Sequence, residues 1–195
     1  GKSTIAKLML RLYEPDSGTI LIDGIDISQI DPTDLRRSMS YVPQDVDLFK
    51  GTLKDNIISS ERHPSDEEVI RVSIVSGTYE FVHAHPKGYD MPIGERGAGL
   101  SGGQRQSVGV ARALLGNGEI MLMDEPSNSM DQTTEGQLIK HLKDELKTKT
   151  MVLVTQKLQL LELVDRVMVM HQSKLILDGP KNEVTNKLKG SSHVE

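Results

Sequence analysis

The chain contains no cysteine in its 195 residues, which excludes disulfide staples and any thiolate-held metal. It also lacks an apolar run near the roughly 20 residues that a membrane-spanning helix requires, and it shows no secretory leader. With a net charge of −5 it has no general attraction for nucleic acid or for an anionic membrane surface. No internal repeat, low-complexity block or interdomain linker interrupts it. An initiating methionine is missing too: the first residue is Gly1, inside a motif, so the chain is expected to be a fragment whose start lies upstream. What remains, with 36% apolar and 26% charged residues, is the composition of one globular domain long enough to bury a core.

Helical and strand patterns alternate from end to end, predicting an α/β domain around a mostly parallel sheet. Ile5, Leu8, Met9 and Leu12 form a helical stripe directly after Gly1-Lys2-Ser3-Thr4. Asp23-Gly24 between β-prone runs predicts a hairpin over residues 19–27. Ser65-Asp66-Glu67-Glu68 is a capping box opening a helix that carries Val69 and Val72. Another helix follows Leu100-Ser101-Gly102-Gly103, with Val108, Ala111 and Leu115 on one side, and Leu138, Leu142 and Leu146 mark a third. The unbroken apolar runs 120–123, 151–154 and 167–170 read as strands buried on both faces, and 175–177 as the return strand of a hairpin. Residues 181–195 are polar and read as a frayed helix or tail.

Three stretches carry chemistry. Gly1-Lys2-Ser3-Thr4, leading straight into an amphipathic helix, resembles the second half of a P-loop. There Lys2 would reach the β- and γ-phosphates, the Ser3 hydroxyl would bind Mg²⁺, and the amides and positive dipole end of the helix would face the anion. Leu100-Ser101-Gly102-Gly103-Gln104-Arg105-Gln106, continuing into Ala111-Arg112-Ala113-Leu114, resembles the LSGGQ signature of ABC ATPases. Physically it is a second anion site: two glycines let the backbone approach a phosphate, Ser101 offers a hydroxyl, and a helix begins there. Ile120-Met121-Leu122-Met123-Asp124-Glu125 has the Walker B pattern. It brings two carboxylates to the C-terminal edge of a parallel sheet, where such folds bind ligands. Neighbouring strand residues point to opposite sides, so the two acids can do different work; the resemblance implies that Asp124 would hold Mg²⁺ through water and that Glu125 would polarise the attacking water as general base.

Smaller pieces resemble other parts of the same family. Tyr41-Val42-Pro43-Gln44 is similar to its Q-loop, which would put Gln44 near Mg²⁺ and the attacking water. Asn128-Ser129-Met130-Asp131 stands at the D-loop position, where Asp131 fits and Asn128 and Ser129 depart from the usual Ser-Ala-Leu-Asp. Ile93-Gly94-Glu95-Arg96-Gly97 resembles the X-loop of exporters. The surroundings, with Gly88-Tyr89-Asp90-Met91-Pro92 and Tyr13-Glu14-Pro15, look most like the ATPases of type I protein secretion systems. One position departs: after Thr155, where the family places a histidine that reaches the γ-phosphate, this chain has Gln156. A glutamine amide can donate a hydrogen bond but cannot become cationic, so nucleotide binding is expected to survive and turnover to fall.

The resemblance to ABC ATPases runs from Gly1 to about Glu183. It implies a RecA-like P-loop NTPase core over residues 1–183, a helical subdomain at about 59–116 and a polar tail at 184–195. The front β-subdomain, the strand entering the P-loop and the adenine-stacking aromatic would be missing, which exposes a sheet edge. ATP and Mg²⁺ are the implied ligands. Gly1, Lys2, Ser3, Thr4, Gln44, Asp124, Glu125 and Gln156 would hold and process ATP in one subunit. Ser101, Gly102, Gly103 and Gln104, with Asp131 beside them, would close on it from a second subunit in a head-to-tail dimer. A transmembrane permease domain, expected upstream in the same chain, would hold an otherwise soluble fragment at the cytoplasmic face of the inner membrane, with no nucleic-acid partner. The implied activity is ATP hydrolysis powering an exporter of the type I secretion kind. Three alternatives remain open at this point: a lipid, peptide or small-molecule exporter; a soluble ABC ATPase of DNA repair or translation; and a weakly hydrolysing regulatory domain, to which Gln156 points.

Overall fold

The computed structural model describes residues 1–58 and 63–191. Helix α1 (Lys2–Met9) leads into a hairpin of β1 (Leu21–Ile22) and β2 (Ile25–Asp26). At its turn Asp23 and Gly24 both have positive φ, 50° and 79°, the mirror-image geometry that two-residue hairpins favour. Asp31 caps α2 (Pro32–Arg37), which runs into β3 (Met39–Val42). Next come β4 (Gly51–Thr52), α3 (Leu53–Ile57), α4 (Asp66–Ser76) and α5 (Thr78–Ala84). The capping box at Ser65 forms as the sequence predicts, its hydroxyl accepting from the Glu68 amide. Then follow β5 (Pro92–Ile93), α6 (Gly102–Gly116), β6 (Ile120–Asp124), α7 (Gln132–Glu145) and β7 (Thr150–Val154). A hairpin of β8 (Arg166–His171) and β9 (Lys174–Pro180) and helix α8 (Lys181–Ser191) end the described chain.

The organising element is a three-stranded parallel sheet in the order β3-β6-β7, with Met39 opposite Ile120 and Ile120 opposite Thr150. The other strands form antiparallel pairs. Strand side chains alternate in direction, and β6 uses both faces. Leu122 packs in one cluster with Leu10 at the end of α1, Ile27, Leu35 and Met39. Met121 and Met123 pack in another with Val42, with Val108, Ala111 and Leu114 of α6, and with Leu138 and Leu142 of α7. Helices α1 and α6 therefore lie on opposite faces of one sheet.

Several expectations change. Of the α1 stripe, Ile5 and Leu12 are 42% and 50% exposed, while Ala6 and Leu10 are buried. The small Ala6 lets the helix lie close to the sheet, which turns the contact face by one position. Strand β7 is half-buried rather than buried on both faces, because β6 is its one strand neighbour among the described residues. Run 167–170 is not a two-sided core strand either: β8 sits in a two-stranded hairpin and Met168 is exposed. Helix α8 agrees with the reading of residues 181–195 as a frayed helix or tail, and it runs on through 184, with Val184 buried. The expected start of the helical subdomain, at about residue 59, lies outside the described residues. Among the described residues no helix is long and apolar enough to cross a membrane.

The turn between α6 and β6 sets how closely the layers approach. Asn117 takes a left-handed conformation to end α6, a role asparagine tolerates. Lys149 Nζ donates to the carbonyls of Asn117 and Gly118, and the Gly118 amide donates to Ser40 Oγ at 2.9 Å. A Cβ at Gly118 would stand 2.6 Å from backbone atoms of Met39 and Ser40. Gly118→Ala should therefore push β3 from β6 and cost about 1–3 kcal/mol, read as a lower denaturant midpoint. An unchanged midpoint would show that β3 yields without cost.

Candidate functional site

The site grows from the C-terminal end of β6. Asp124 ends the strand at 1% exposure, and Glu125 follows at 8%. Glu125 has φ 48°, a left-handed backbone that costs a non-glycine residue about 1–2 kcal/mol. Three bonds hold it there: its amide donates to the Val154 carbonyl at 2.8 Å, and its carbonyl accepts from the Asn128 amide and from Gln106 Nε2. Such over-determined strain is typical of functional positions. By strand alternation Asp124 shares the α1 face with Leu122. Tyr41 stands on that side, its hydroxyl pKa raised by burial and further by the nearby Asp124 charge. Glu125 turns instead toward β7, where its Oε2 accepts from Thr155 Oγ1 at 3.3 Å.

Each carboxylate keeps one buried oxygen without a hydrogen-bond partner among the described residues, Oδ1 of Asp124 and Oε1 of Glu125. Burying acceptors this way is costly unless a ligand completes them. Among the described residues no group of three or more His, Asp or Glu is placed to hold a metal alone. That donor set fits Mg²⁺, which binds through one or two carboxylates plus substrate phosphates. On the same face α1 begins at Gly1, with no side-chain cap on its first turn among the described residues and with Lys2 and Ser3 half-buried. Its leading amides are free to meet an anion.

The signature segment starts α6 on the opposite face. Ser101 Oγ accepts from the Gln104 amide at 3.2 Å, and Gln104 Oε1 accepts from the Ser101 amide at 2.9 Å. This capping box fixes both side chains. A Cβ at Gly102 would lie 3.1 Å from Ser129 Cβ, and one at Gly103 would lie 2.9 Å from the Ser129 carbonyl oxygen. Both glycines thus admit the turn 127–130 against the helix start, a packing reason the sequence did not show. Asp131 ends that turn and caps α7, accepting from the amides of Thr133 and Thr134 and from the Thr134 hydroxyl at 2.7 Å. The Thr134 amide bond, before the others, holds the Asp131 carboxyl below its ordinary range.

Gln44 is exposed in the loop after β3. Val46 fits against Gly109, where a Cβ would stand 2.5 Å away, and Arg112 donates to the carbonyls of Asp47 and Asn56. Gln156 is exposed just past Thr155. Glu95 and Arg96 lie exposed in a tight turn whose Gly97 has φ 76°. The structure thus joins Asp124, Glu125 and the 155–156 segment at one sheet edge, with α1 packed through Met9 and Leu10 on the Asp124 face and residues 101–104 across the sheet. Sequence reasoning missed Gln106, the Thr155 contact, and the ion pair of Lys157 with Glu135. Gln106 lay inside the quoted signature, while the ion pair spans 22 residues and left no local signal.

A helix start and a buried acidic strand end on one face of a parallel sheet define a nucleotide-binding α/β domain. The family model described as ABC transporter matches residues 1–128, and the chain belongs to that family. It is 38% identical over 179 residues to an export ATP-binding/permease protein of Rickettsia typhi, covering 92% of this chain and 31% of that protein. It is 36% identical over 187 residues to the alpha-hemolysin translocation ATP-binding protein of Escherichia coli, covering 96% of this chain and 26% of that protein. A solved structure of a bacterial Atm1-family ABC exporter with ATP bound superposes with a TM-score of 0.93 at 33% identity, over 100% of this chain and 35% of that one. The chain thus spans about a third or less of the length of these relatives.

Gly103→Ala drives a methyl into the Ser129 carbonyl. It should cost about 1–3 kcal/mol of stability, measured by thermal unfolding, and move Ser129 in a crystal structure of the variant. Unchanged stability and an unmoved turn would contradict the packing role.

Proposed function

We propose that this chain is the ATP-binding and ATP-hydrolysing motor of an ABC exporter, of the kind that drives type I protein secretion. The observation that carries the reading is the pair of buried carboxylates, Asp124 and Glu125, each with an open oxygen, on the sheet edge that α1 also faces. Lys2 neutralises phosphate charge, Ser3, Asp124 and Gln44 hold the metal, and Glu125 takes the proton of the attacking water. Bound Mg²⁺ supplies neutralisation of the charge that gathers on the phosphoryl oxygens. The left-handed backbone and the Thr155 hydroxyl aim the Glu125 carboxylate before substrate arrives, which lowers the reorganisation needed at the chemical step.

The opposite-face placement of α1 and α6 supports a composite site. One chain presents Lys2 and Ser101 on different sides of its sheet, so a phosphate held by Lys2 is closed by Ser101, Gly102 and Gly103 of a second chain, head to tail. Residues 1–183 form the ATPase unit, with the helical subdomain at about 59–116 facing a transmembrane permease. The relatives' names, an export ATP-binding/permease protein and toxin-translocation ATP-binding proteins, favour export over DNA repair or translation. They also support a motor held at the membrane through its permease.

In the intact protein, Glu125→Gln should lower ATP turnover about 10²–10⁴-fold while ATP still binds and holds the dimer closed. Normal turnover in that variant would remove Glu125 from the base role. Gln156→His should raise kcat several-fold with little change in ATP affinity, because a group that can become cationic acts on the charged transition state and not on the bound substrate. Equal kcat for the two forms between about pH 6 and 8, the range in which histidine titrates, would show that Gln156 does not limit the rate.

A further inference from the structure

Lys157 lies one residue past Gln156 and belongs to none of the motifs above. Its Nζ reaches two distant partners: it donates to the Ser127 carbonyl at 2.8 Å and forms an ion pair with Glu135 on α7. The Glu135 side chain is 6% exposed and that of Lys157 is 29% exposed, so the pair is shielded from solvent on one side and is not a typical surface bridge. The same Ser127 carbonyl accepts from the Met130 amide, closing the 127–130 turn. Ser129 at the tip of that turn is the residue against which Gly102 and Gly103 pack. At the other end of Lys157, its backbone amide donates to Thr155 Oγ1 at 3.0 Å. That leaves the Thr155 hydroxyl proton directed at Glu125 Oε2.

One residue thus connects, through its backbone amide, the Thr155 hydroxyl at the strained Glu125 and, through its side chain, the 127–130 turn and the start of the signature helix. We propose that Lys157, clamped by Glu135, is a positioning residue that sets the Glu125 carboxylate through Thr155 and sets the signature helix start through the Ser127 carbonyl. The inference rests on the reading of Glu125 as general base. The ammonium suits this job because it is a compact charge with three donors on a flexible stem. It can hold a carboxylate and a carbonyl together, and removing it leaves a buried carboxylate uncompensated.

The test is steady-state ATP hydrolysis by the intact protein carrying Lys157→Met, Lys157→Arg, Thr155→Val, or Lys157→Met with Thr155→Val, each beside Glu125→Gln. Misplacing the base should lower kcat about ten- to hundredfold in Lys157→Met and leave KM for ATP nearly unchanged. Lys157→Arg should recover most of the loss, because it keeps the charge and can still bridge Glu135 and Ser127. Because Thr155 acts on Glu125 along the route that Lys157 holds in place, the double variant should be no slower than the slower single one. If Lys157→Met fails to fold, Glu135→Gln with Thr155→Val replaces it in the same cycle. A normal kcat in Lys157→Met beside an inactive Glu125→Gln overturns the clamp alone, and so do independent, multiplying losses in the double variant. Normal turnover in Glu125→Gln overturns the base assignment and the clamp with it.

Discussion

Two-sided burial of strand β6 is the constraint on which the rest of the structure depends. A strand with a partner on each edge and helices on each face must spend its alternate residues on two separate cores, and Leu122 against Met121 and Met123 do so. That parity carries past the last apolar residue. Asp124 inherits the face of α1, and Glu125 is released by its left-handed backbone toward β7. Chemistry at the strand end is therefore a consequence of packing in the strand middle. The apolar residues fix the register with β3 and β7, and the register fixes where two acids emerge.

Close approach of backbones is the second device, and it recurs wherever a loop must be held near the site. Gly109 admits Val46 and so anchors the loop of Gln44, Gly103 admits the Ser129 carbonyl, and Gly118 admits β3 itself. None of these contacts involves a ligand. They let α6 serve as a spine to which the loop after β3 and the turn after Glu125 are both attached, while Arg112 donates to carbonyls on the first of these. Rigid attachment to one buried helix would suit the proposed function, in which these loops present several weak contacts to one anion at once.

Much of this was legible in the sequence. The capping boxes at Ser65 and Ser101 and the Asp23-Gly24 turn are local signals, satisfied by residues at most five positions apart, and the apolar run before Asp124 is a local pattern even though its partners are distant. What was misread depended on distant partners. The bulkiest residues of α1 suggest one stripe, but the small Ala6 is buried in its place. Runs 151–154 and 167–170 look alike on paper, yet one pairs with β6 in the parallel sheet and the other, among the described residues, with its own hairpin partner alone. The glycines of the signature pointed to phosphate approach, while their contacts with Ser129 need the tertiary structure to be seen. Lys157 and Glu135 could not have been paired from spacing at all.

On the proposed function, the unpaired oxygen of Asp124 awaits a divalent cation carried in with nucleotide phosphates. Titration of Mn²⁺ in place of Mg²⁺, followed by electron paramagnetic resonance on the intact protein saturated with a non-hydrolysable ATP analogue, tests it most directly. The account predicts a bound Mn²⁺ signal whose affinity falls about tenfold or more in Asp124→Asn, with nucleotide still bound. Equal Mn²⁺ affinity in the native and Asp124→Asn proteins would contradict it.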